Sequence, residues 1–414
     1  MASFSTALSG LKSAEEELQT VSNNLANVST YGYKSQSLSF SSVYEQTSAT
    51  SGAGDPIQTG NGSTLASTVT DTTDGTAEST GVSSNMALSG NGYFIVETTS
   101  GDQEYTRDGS FTTDSSGNLV TSSGYTLLGY PATDGVVDTS ATLQAINVGS
   151  GVSIPASAST EISVTANLSS ETAVDGTATS SSVIVYDSLG EAHTLTISYT
   201  KTAENTWTYT VSMNSDELSS GSSDSTTEIG SGTLTFNSDG TLTDISNVSD
   251  ISISGLADGA DDMTLSGPFG TVDDSTITQT SSDSGTSATS TDGYTAGTLS
   301  SYAIDSDGTV EGTFSNGKTL ALGQVALASF ANVQGLKNVG DNCYEATNSS
   351  GSAVIGTAGT GGRGTIEGGY VEDSNVSIAT EFSKLIVAQQ AYSASAKAIT
   401  TMNQISQATL QMLQ

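Results

Sequence analysis

Apolar residues recur at helical spacing near both ends of the chain, and the stretch between them alternates as strands do. At the amino end Phe4, Leu11, Leu18 and Leu25 stand seven apart, and Ala7, Ala14, Val21 and Val28 fill the second seam position of each repeat. This a/d heptad predicts a helix from an N-cap at Ser3 to about Val28, stopped near Gly32. Toward the carboxy end Ile378, Phe382, Leu385, Tyr392, Ile399, Met402, Ile405 and Met412 follow in steps of three, four or seven, with no Gly or Pro from Asn375 onward. That is one apolar stripe on a long helix. Isolated helices of about four to seven turns are marginal in water, so both stripes need partners. The nearest partner for each is the other terminus. Burying roughly a dozen large side chains at about 1.5 to 3 kcal/mol each would offset the ordering of both ends, if other subunits cover what the pair leaves open. An intramolecular coiled-coil stalk is the plainer alternative.

Between the ends the period changes. Tyr93–Val96, Glu104–Arg107, Gly109–Thr112, Asn118–Val120 and Tyr125–Leu128 read as short strands separated by Gly90-Asn91-Gly92, Arg107-Asp108-Gly109 and Ser116-Gly117-Asn118 turns. A second β region holds Val183–Tyr186, His193–Tyr199, Trp207–Val211 and a hairpin over 232–242, each strand alternating apolar residues with Ser or Thr. Strand signals return at 299–304, 309–314 and 324–330. Residues 35–80 read as a Ser/Thr/Gly-rich connector with one strand at Leu38–Tyr44, the low-complexity run 281–291 as a domain boundary, and the Gly-rich run 356–369 as a flexible entry to the last helix. The expected fold is therefore multidomain α+β, with nested, mainly antiparallel β domains between terminal helices that form a coiled-coil domain. Its parts are 1–34 plus 370–414 (helical), 35–81 plus 356–369 (connector), 82–150 plus 292–355 (inner β) and 151–291 (inserted outer β).

Composition narrows the class. Of 414 residues 34% are hydrophobic and 13% charged, with 45 Gly and 4 Pro, so the polar bulk is Ser, Thr, Asn and Gly, as in β-rich surface proteins. Nine basic against 44 acidic residues leave a net charge of −35. Phosphate recognition draws on clustered cations, so neither nucleic acid nor an anionic membrane is an expected partner. Stacked copies would repel, making assembly salt-dependent. The single cysteine, Cys343, forms no internal disulfide. Residues 1–30 contain Glu15, Glu16 and Glu17 and no continuous apolar run, which argues against a cleaved signal peptide or a membrane span.

Catalytic chemistry finds little footing, and the expectation is a non-enzyme with no cofactor and no metal. His193 is the only histidine, lies in a predicted strand, and has no Gly-x-Ser-x-Gly elbow nearby. One His and one Cys do not build the usual zinc site. Asp305-Ser306-Asp307-Gly308 and Asn237-Ser238-Asp239-Gly240 resemble the start of a calcium loop, but the Gly comes too early and the distal Glu is missing, so both read as β-turns. Gly359–Gly364 lacks the Lys-Ser/Thr pair of a phosphate loop. Cys343 reads as an inert structural thiol.

Other stretches are specific. Ser22-Asn23-Asn24-Leu25-Ala26-Asn27-Val28-Ser29-Thr30-Tyr31-Gly32-Tyr33-Lys34 resembles the SNNxANxxTxGFK box of the flagellar axial proteins. Met86–Phe94 and Tyr105–Phe111 are similar to the core of hook and distal-rod members. Val185–Gly190 with His193-Thr194-Leu195, and 302–329 with Gly335-Leu336, are similar to hook members in particular; Ser374-Asn375-Val376 and Ile386–Tyr392 resemble the family's last helix. The chain departs from the family pattern at Gln390, Ser377 and Glu15–Glu17. The resemblance implies a self-assembling hook subunit, a flexible curved tube that transmits torque from rod to filament. It implies helices lining an inner tube, with Phe4, Leu11, Leu18, Leu25, Val28, Ile378, Phe382, Leu385, Tyr392, Ile399 and Met402 at the seam. It also implies partners in the distal rod protein, the hook-filament junction protein, the hook cap scaffold and the flagellar export apparatus, and an extracellular place in the flagellum. A distal rod protein is the second reading, and a secreted β-rich adhesin or hydrolase the third.

Overall fold

The computed structural model describes residues 2–43, 46–50, 56–219, 225–246, 251–271 and 274–412. The protein is mostly β, with two long helices, α1 (Ala2–Ala26) and α2 (Ile378–Met412), at the two ends of the sequence. It divides into two compact units: unit 1 is Met1–Gly149, Ser301–Thr313 and Thr319–Gln414, and unit 2 is Ser150–Ser300 with Phe314–Lys318.

In unit 1 the helices lie against each other. Asn24 meets Glu381, and Gly10 approaches Ser395, fourteen residues on in both helices but in opposite directions, so the pair is antiparallel. Helix α1 starts one residue before the expected Ser3 cap and ends two before Val28. Gly32, at φ 67, is therefore not its cap; the chain has already left the helix through single turns over 27–30. Helix α2 begins as expected, with the Ser377 hydroxyl accepting from the Thr380 N–H at 3.5 Å, so Ser377 serves as N-cap.

The connector is more ordered than its composition suggests. Gln36–Ser42 pairs antiparallel with Ser63–Thr70 and lies along α1, where the Ser63 N–H donates to Ser9 Oγ and the Ser13 and Ser63 hydroxyls meet at 3.0 Å. Tyr44, the far end of the strand expected there, lies outside the described residues. The Gly-rich run before α2 is not a loose entry either: Thr365–Gly368 pairs with Met86–Ser89 and buries Ile366. Gly109–Phe111, expected as strand, is not one; Ser84 Oγ donates to the Phe111 carbonyl at 2.6 Å instead.

The β body of unit 1 runs Thr319–Val325, Thr126–Thr133, Tyr93–Glu97, Gln103–Thr106, Cys343–Glu345, Lys337–Gly340, with every neighbouring pair antiparallel. Tyr93, Tyr105, Phe330 and Tyr344 meet edge to face on one side of it, while Phe94 stacks on Phe111 in the same way at 5.5 Å.

Unit 2 is built from several small β-sheets. Its five-stranded antiparallel sheet follows chain order from Thr177–Tyr186 through Ala192–Ala203, Thr206–Asn214, Thr226–Phe236 and Leu242–Ser246. The period-two pattern places Leu195, Ile197, Tyr199, Trp207, Tyr209 and Val211 in the core, all at 1% exposure or less. A second sheet places Ile162–Ser169 between Gly285–Thr291 and Ile277–Thr280, the last pairing being parallel. Residues 285–291, expected as part of a boundary, are thus an edge strand: six of its seven residues face solvent, so Ser and Thr suffice and no apolar alternation announces it.

Candidate assembly surface and its buried anchor

The helical pair buries its small side. In α1 the fully buried positions are Ala14, Val21 and Asn24, and in α2 Glu381 and Ala388. Small residues let two backbones approach, which Gly10 beside Ser395 illustrates: a β-carbon at Gly10 would stand 3.3 Å from the serine oxygen. The large residues behave otherwise. Leu11, Leu18, Leu25, Val28, Leu385, Ile399 and Met402 are half-buried. Phe4, Ile378, Phe382 and Tyr392 are 40–50% exposed, and Ile386 and Val387, outside the expected seam, are more exposed still. The pair thus leaves an apolar face open along its length. Helix α2 also runs about two turns past the start of α1, where Ile405, Leu410 and Met412 are at least 61% exposed. Charge is nearly absent here: one lysine against three glutamates in α1 and two lysines against one glutamate in α2 give a net −1, out of −35 for the chain.

The motif residues do not lie on that open face; they fasten the helices to the β body. Asn24 accepts from the Gln36 N–H and the Tyr33 hydroxyl at Oδ1, and donates from Nδ2 to the Gln36 carbonyl at 2.8 Å and to Glu381 at 3.1 Å. One side chain therefore joins α1, the first strand and α2. Asn23 donates to Tyr33 Oη, Asn27 to the Asn23 carbonyl, and Thr30 Oγ1 to Asn27, folding the chain back after Ala26. Asn375 mirrors this from the other terminus: its Oδ1 accepts from the Ser35 N–H at 2.8 Å and its Nδ2 donates to the Asp71 and Thr73 carbonyls. Ser374 Oγ accepts from the Val376 N–H.

Behind these lies a buried ion cluster that no local pattern revealed. Lys34 and Arg107, both under 5% exposed, share Glu372: Lys34 Nζ stands 2.6 Å from its Oε1 and Arg107 Nε 3.1 Å from its Oε2. Asp74 takes the outer side of Arg107 at 2.6 Å, so two cations face two carboxylates. Arg107 Nη1 donates to the Gly90 and Gly92 carbonyls, and Lys34 Nζ to the Thr73 carbonyl. Every charge is thus matched and hydrogen-bonded, the condition under which burial of ions is tolerated. Burial and the neighbouring guanidinium hold the Lys34 amine below its ordinary range, against the pull of Glu372. Gly32 completes the joint. It donates to the Glu372 carbonyl at 2.7 Å, and any β-carbon there would run into the Arg107 backbone.

The residues weighed for chemistry fall elsewhere. Cys343 is buried, and burial beside Glu104 pushes its thiol up to about 12, far from a reactive thiolate. The 237–240 and 305–308 segments are turns closed by Gly240 N–H to the Asn237 carbonyl and Gly308 N–H to the Asp305 carbonyl. His193 is buried in unit 2 between Asp187 and Glu217. Burial alone would lower its pKa, but the two carboxylates raise it; burial likewise opposes Asp187, yet the contact with Asp258 and the hydrogen bonds from His193 and two backbone amides bring that carboxyl down to about 2. Among the described residues no helix is long and apolar enough to cross a membrane.

Comparison with known proteins gives a consistent answer along the whole chain. The flagella basal body rod protein model matches residues 4–34, the flagellar hook protein FlgE/F/G D1 domain 87–167, the flagellar basal body protein FlaE D2 domain 158–294, and the flagellar basal body rod FlgEFG protein C-terminal model 367–412. Flagellar hook protein FlgE of Escherichia coli K12 is 37% identical over 418 residues, covering 97% of this chain and 98% of the relative. That of Salmonella typhimurium is 36% identical with the same coverage, and that of Treponema pallidum 30% identical over 97% of both chains. Among solved structures, the Helicobacter pylori flagellar hook protein FlgE2 shares the fold, at a TM-score of 0.53 over 71% of this chain and all of its own, with 15% identity.

Proposed function

The chain belongs to the flagellar hook protein family, and on that premise we propose how its parts serve a hook subunit. It is a structural component of the bacterial flagellar hook, exported, self-polymerising and associated with other basal-body components, in a family that builds and does not catalyse. The finer reading is that α1 and α2 form an antiparallel coiled coil lining the inner tube of the polymer. The observation that carries it is the open, almost uncharged apolar face of the helical pair. A lone chain cannot hide such a face, and identical copies stacked head to tail cover one another in an open helical polymer. Phe4, Leu11, Leu18, Leu25, Val28, Ile378, Phe382, Leu385, Tyr392, Ile399 and Met402 are the seam, shared between the partner helix and neighbouring subunits.

A joint that bends as it turns needs outer contacts of nearly equal energy in several arrangements. Unit 2 suits this, since most of its large apolar residues are turned inward and its edge strand 285–291 is Ser- and Thr-rich. We divide the chain into helical, connector, inner β and outer β parts. The separate Gln36–Ser42 hairpin and the independent core of unit 2 support that division. Distal rod, hook-filament junction, hook cap and export components are the proposed neighbours in the flagellum. Deletion of the gene, viewed by electron microscopy, tests the reading: rods and rings without a curved segment or filament support it, and normal filaments overturn it.

A further inference from the structure

Unit 2 holds a side-chain cluster that hook assembly does not use. The turn between Thr177–Tyr186 and Ala192–Ala203 sets Asp187, fully buried, beside His193, 4% exposed and the only histidine of the chain. Both atoms of the Asp187 carboxylate have a defined task. Its Oδ1 accepts from the N–H groups of Leu189 and Glu191 at 2.8 and 2.9 Å, which aims Oδ2 at His193 Nε2, 3.2 Å away. On the far side of the ring Nδ1 faces Glu217 Oε2 at 2.7 Å, presented by the short helix Ser215–Glu217. A third carboxylate, Asp258, comes from the loop between Ile251–Ile253 and Met263–Leu265. One ligand atom each of Asp187, His193 and Asp258 lies within 4.8 Å of the others.

Two carboxylates on one spot repel unless something positive sits between them. A protonated imidazole answers only in part, because its Nδ1 proton is already matched to Glu217. The single proton left on Nε2 would then serve both aspartates. A divalent cation in that position solves the geometry. It takes Nε2 of the neutral ring, and Glu217 holds the Nδ1 proton as outer carboxylates do for metal-bound histidines. Ligand bonds of about 2.0 to 2.2 Å require closer approach than the present spacing, and Asp258, exposed on its loop, is the member able to move in. One nitrogen and two oxygens suit zinc or manganese better than copper(I), which prefers sulfur, or calcium, which takes six or more oxygens.

We infer that Asp187, His193 and Asp258 form a binding site for a first-row divalent cation of the zinc or manganese type, with Glu217 orienting the histidine. The sole imidazole makes the inference testable on the full-length monomeric chain without ambiguity from other sites. After chelation, Zn2+ is titrated while the two ring nitrogens are followed by NMR. Nε2 moves to a metal-bound shift, saturating at one equivalent, while Nδ1 stays protonated, and the melting temperature of unit 2 rises. Asp258→Asn, a loop substitution outside the core, loses both responses. Ring resonances unmoved by excess Zn2+, binding through Nδ1, or an unaltered response in Asp258→Asn would each overturn the inference.

Discussion

The helical pair and unit 2 treat their apolar residues in opposite ways. In unit 2 most large side chains of the long strands point into one core, Trp207, Tyr199 and Tyr209 are at most 1% exposed, and Trp207 Nε1 finds Gln279 at 2.7 Å. In the helices the buried contact is made by Ala14, Val21 and Ala388, and the bulky residues are left half or wholly open. The first arrangement is complete in one molecule. The second leaves an apolar face open, which the proposed reading has other copies cover. The charge follows the same division, since nearly the whole −35 lies outside the helices. Repulsion is thereby kept away from the open apolar face.

The contrast predicts effects that separate cleanly. The largest is on assembly: Ile386→Asp with Phe382→Asp abolishes polymerisation, as read by sedimentation and microscopy, while both units melt as before. Tubes of normal length from this variant would show that the open face is not the seam. Next, Glu372→Gln removes the buried charge that Lys34 and Arg107 share and costs unit 1 about 3 to 5 kcal/mol in denaturant unfolding. Trp207→Ala costs about 3 to 5 kcal/mol as well, but in unit 2, and leaves the helices able to associate. If either loss spread equally to both units, they would not be the separate structures described above. Gly32→Ala places a side chain at positive φ against the Arg107 backbone and costs unit 1 about 1 to 3 kcal/mol.

The most gradual effect is alkaline. Burial pushes the Cys343 thiol and the Tyr93 and Tyr199 hydroxyls up to about 12. Raised values stabilise the folded state fully below the ordinary ones, 9.0 for the thiol and 10.0 for tyrosine, and that stability drains away as pH climbs toward 12. Unit 1, which holds the cysteine, should weaken from pH 9 and unit 2 from pH 10. Urea midpoints across this range check it, and Cys343→Ala should delay the onset in unit 1; an unmoved onset would remove the thiol from the account.

Periodicity made some of this visible beforehand. A heptad announced α1, an apolar stripe in steps of three, four or seven announced α2, and alternation announced the strands around Val183, Leu195 and Trp207. Periodicity does not say which side of a helix meets which neighbour. Small residues won the internal contact because they permit close approach, and the large seam was left outside. The edge strand 285–291 escaped because a strand wet on nearly all its residues carries no apolar signal. The Lys34, Arg107 and Glu372 cluster escaped for a different reason: its members are brought together only by tertiary folding, Arg107 and Glu372 being 265 residues apart. A hint existed in the sequence, since Lys34 and Arg107 both fall inside motif stretches of a chain with only nine cations. His193 was rightly placed in a strand, but its three carboxylate neighbours come from a turn, a short helix and a loop.

The bond between Lys34 and Glu372 also sets a schedule. It spans 338 residues of chain, so a polypeptide emerging in either direction must deliver almost its entire length before the two charges can meet. Until then neither helix has its anchor, and a chain drawn through a passage too narrow for the folded joint would stay unlatched until both charges were through.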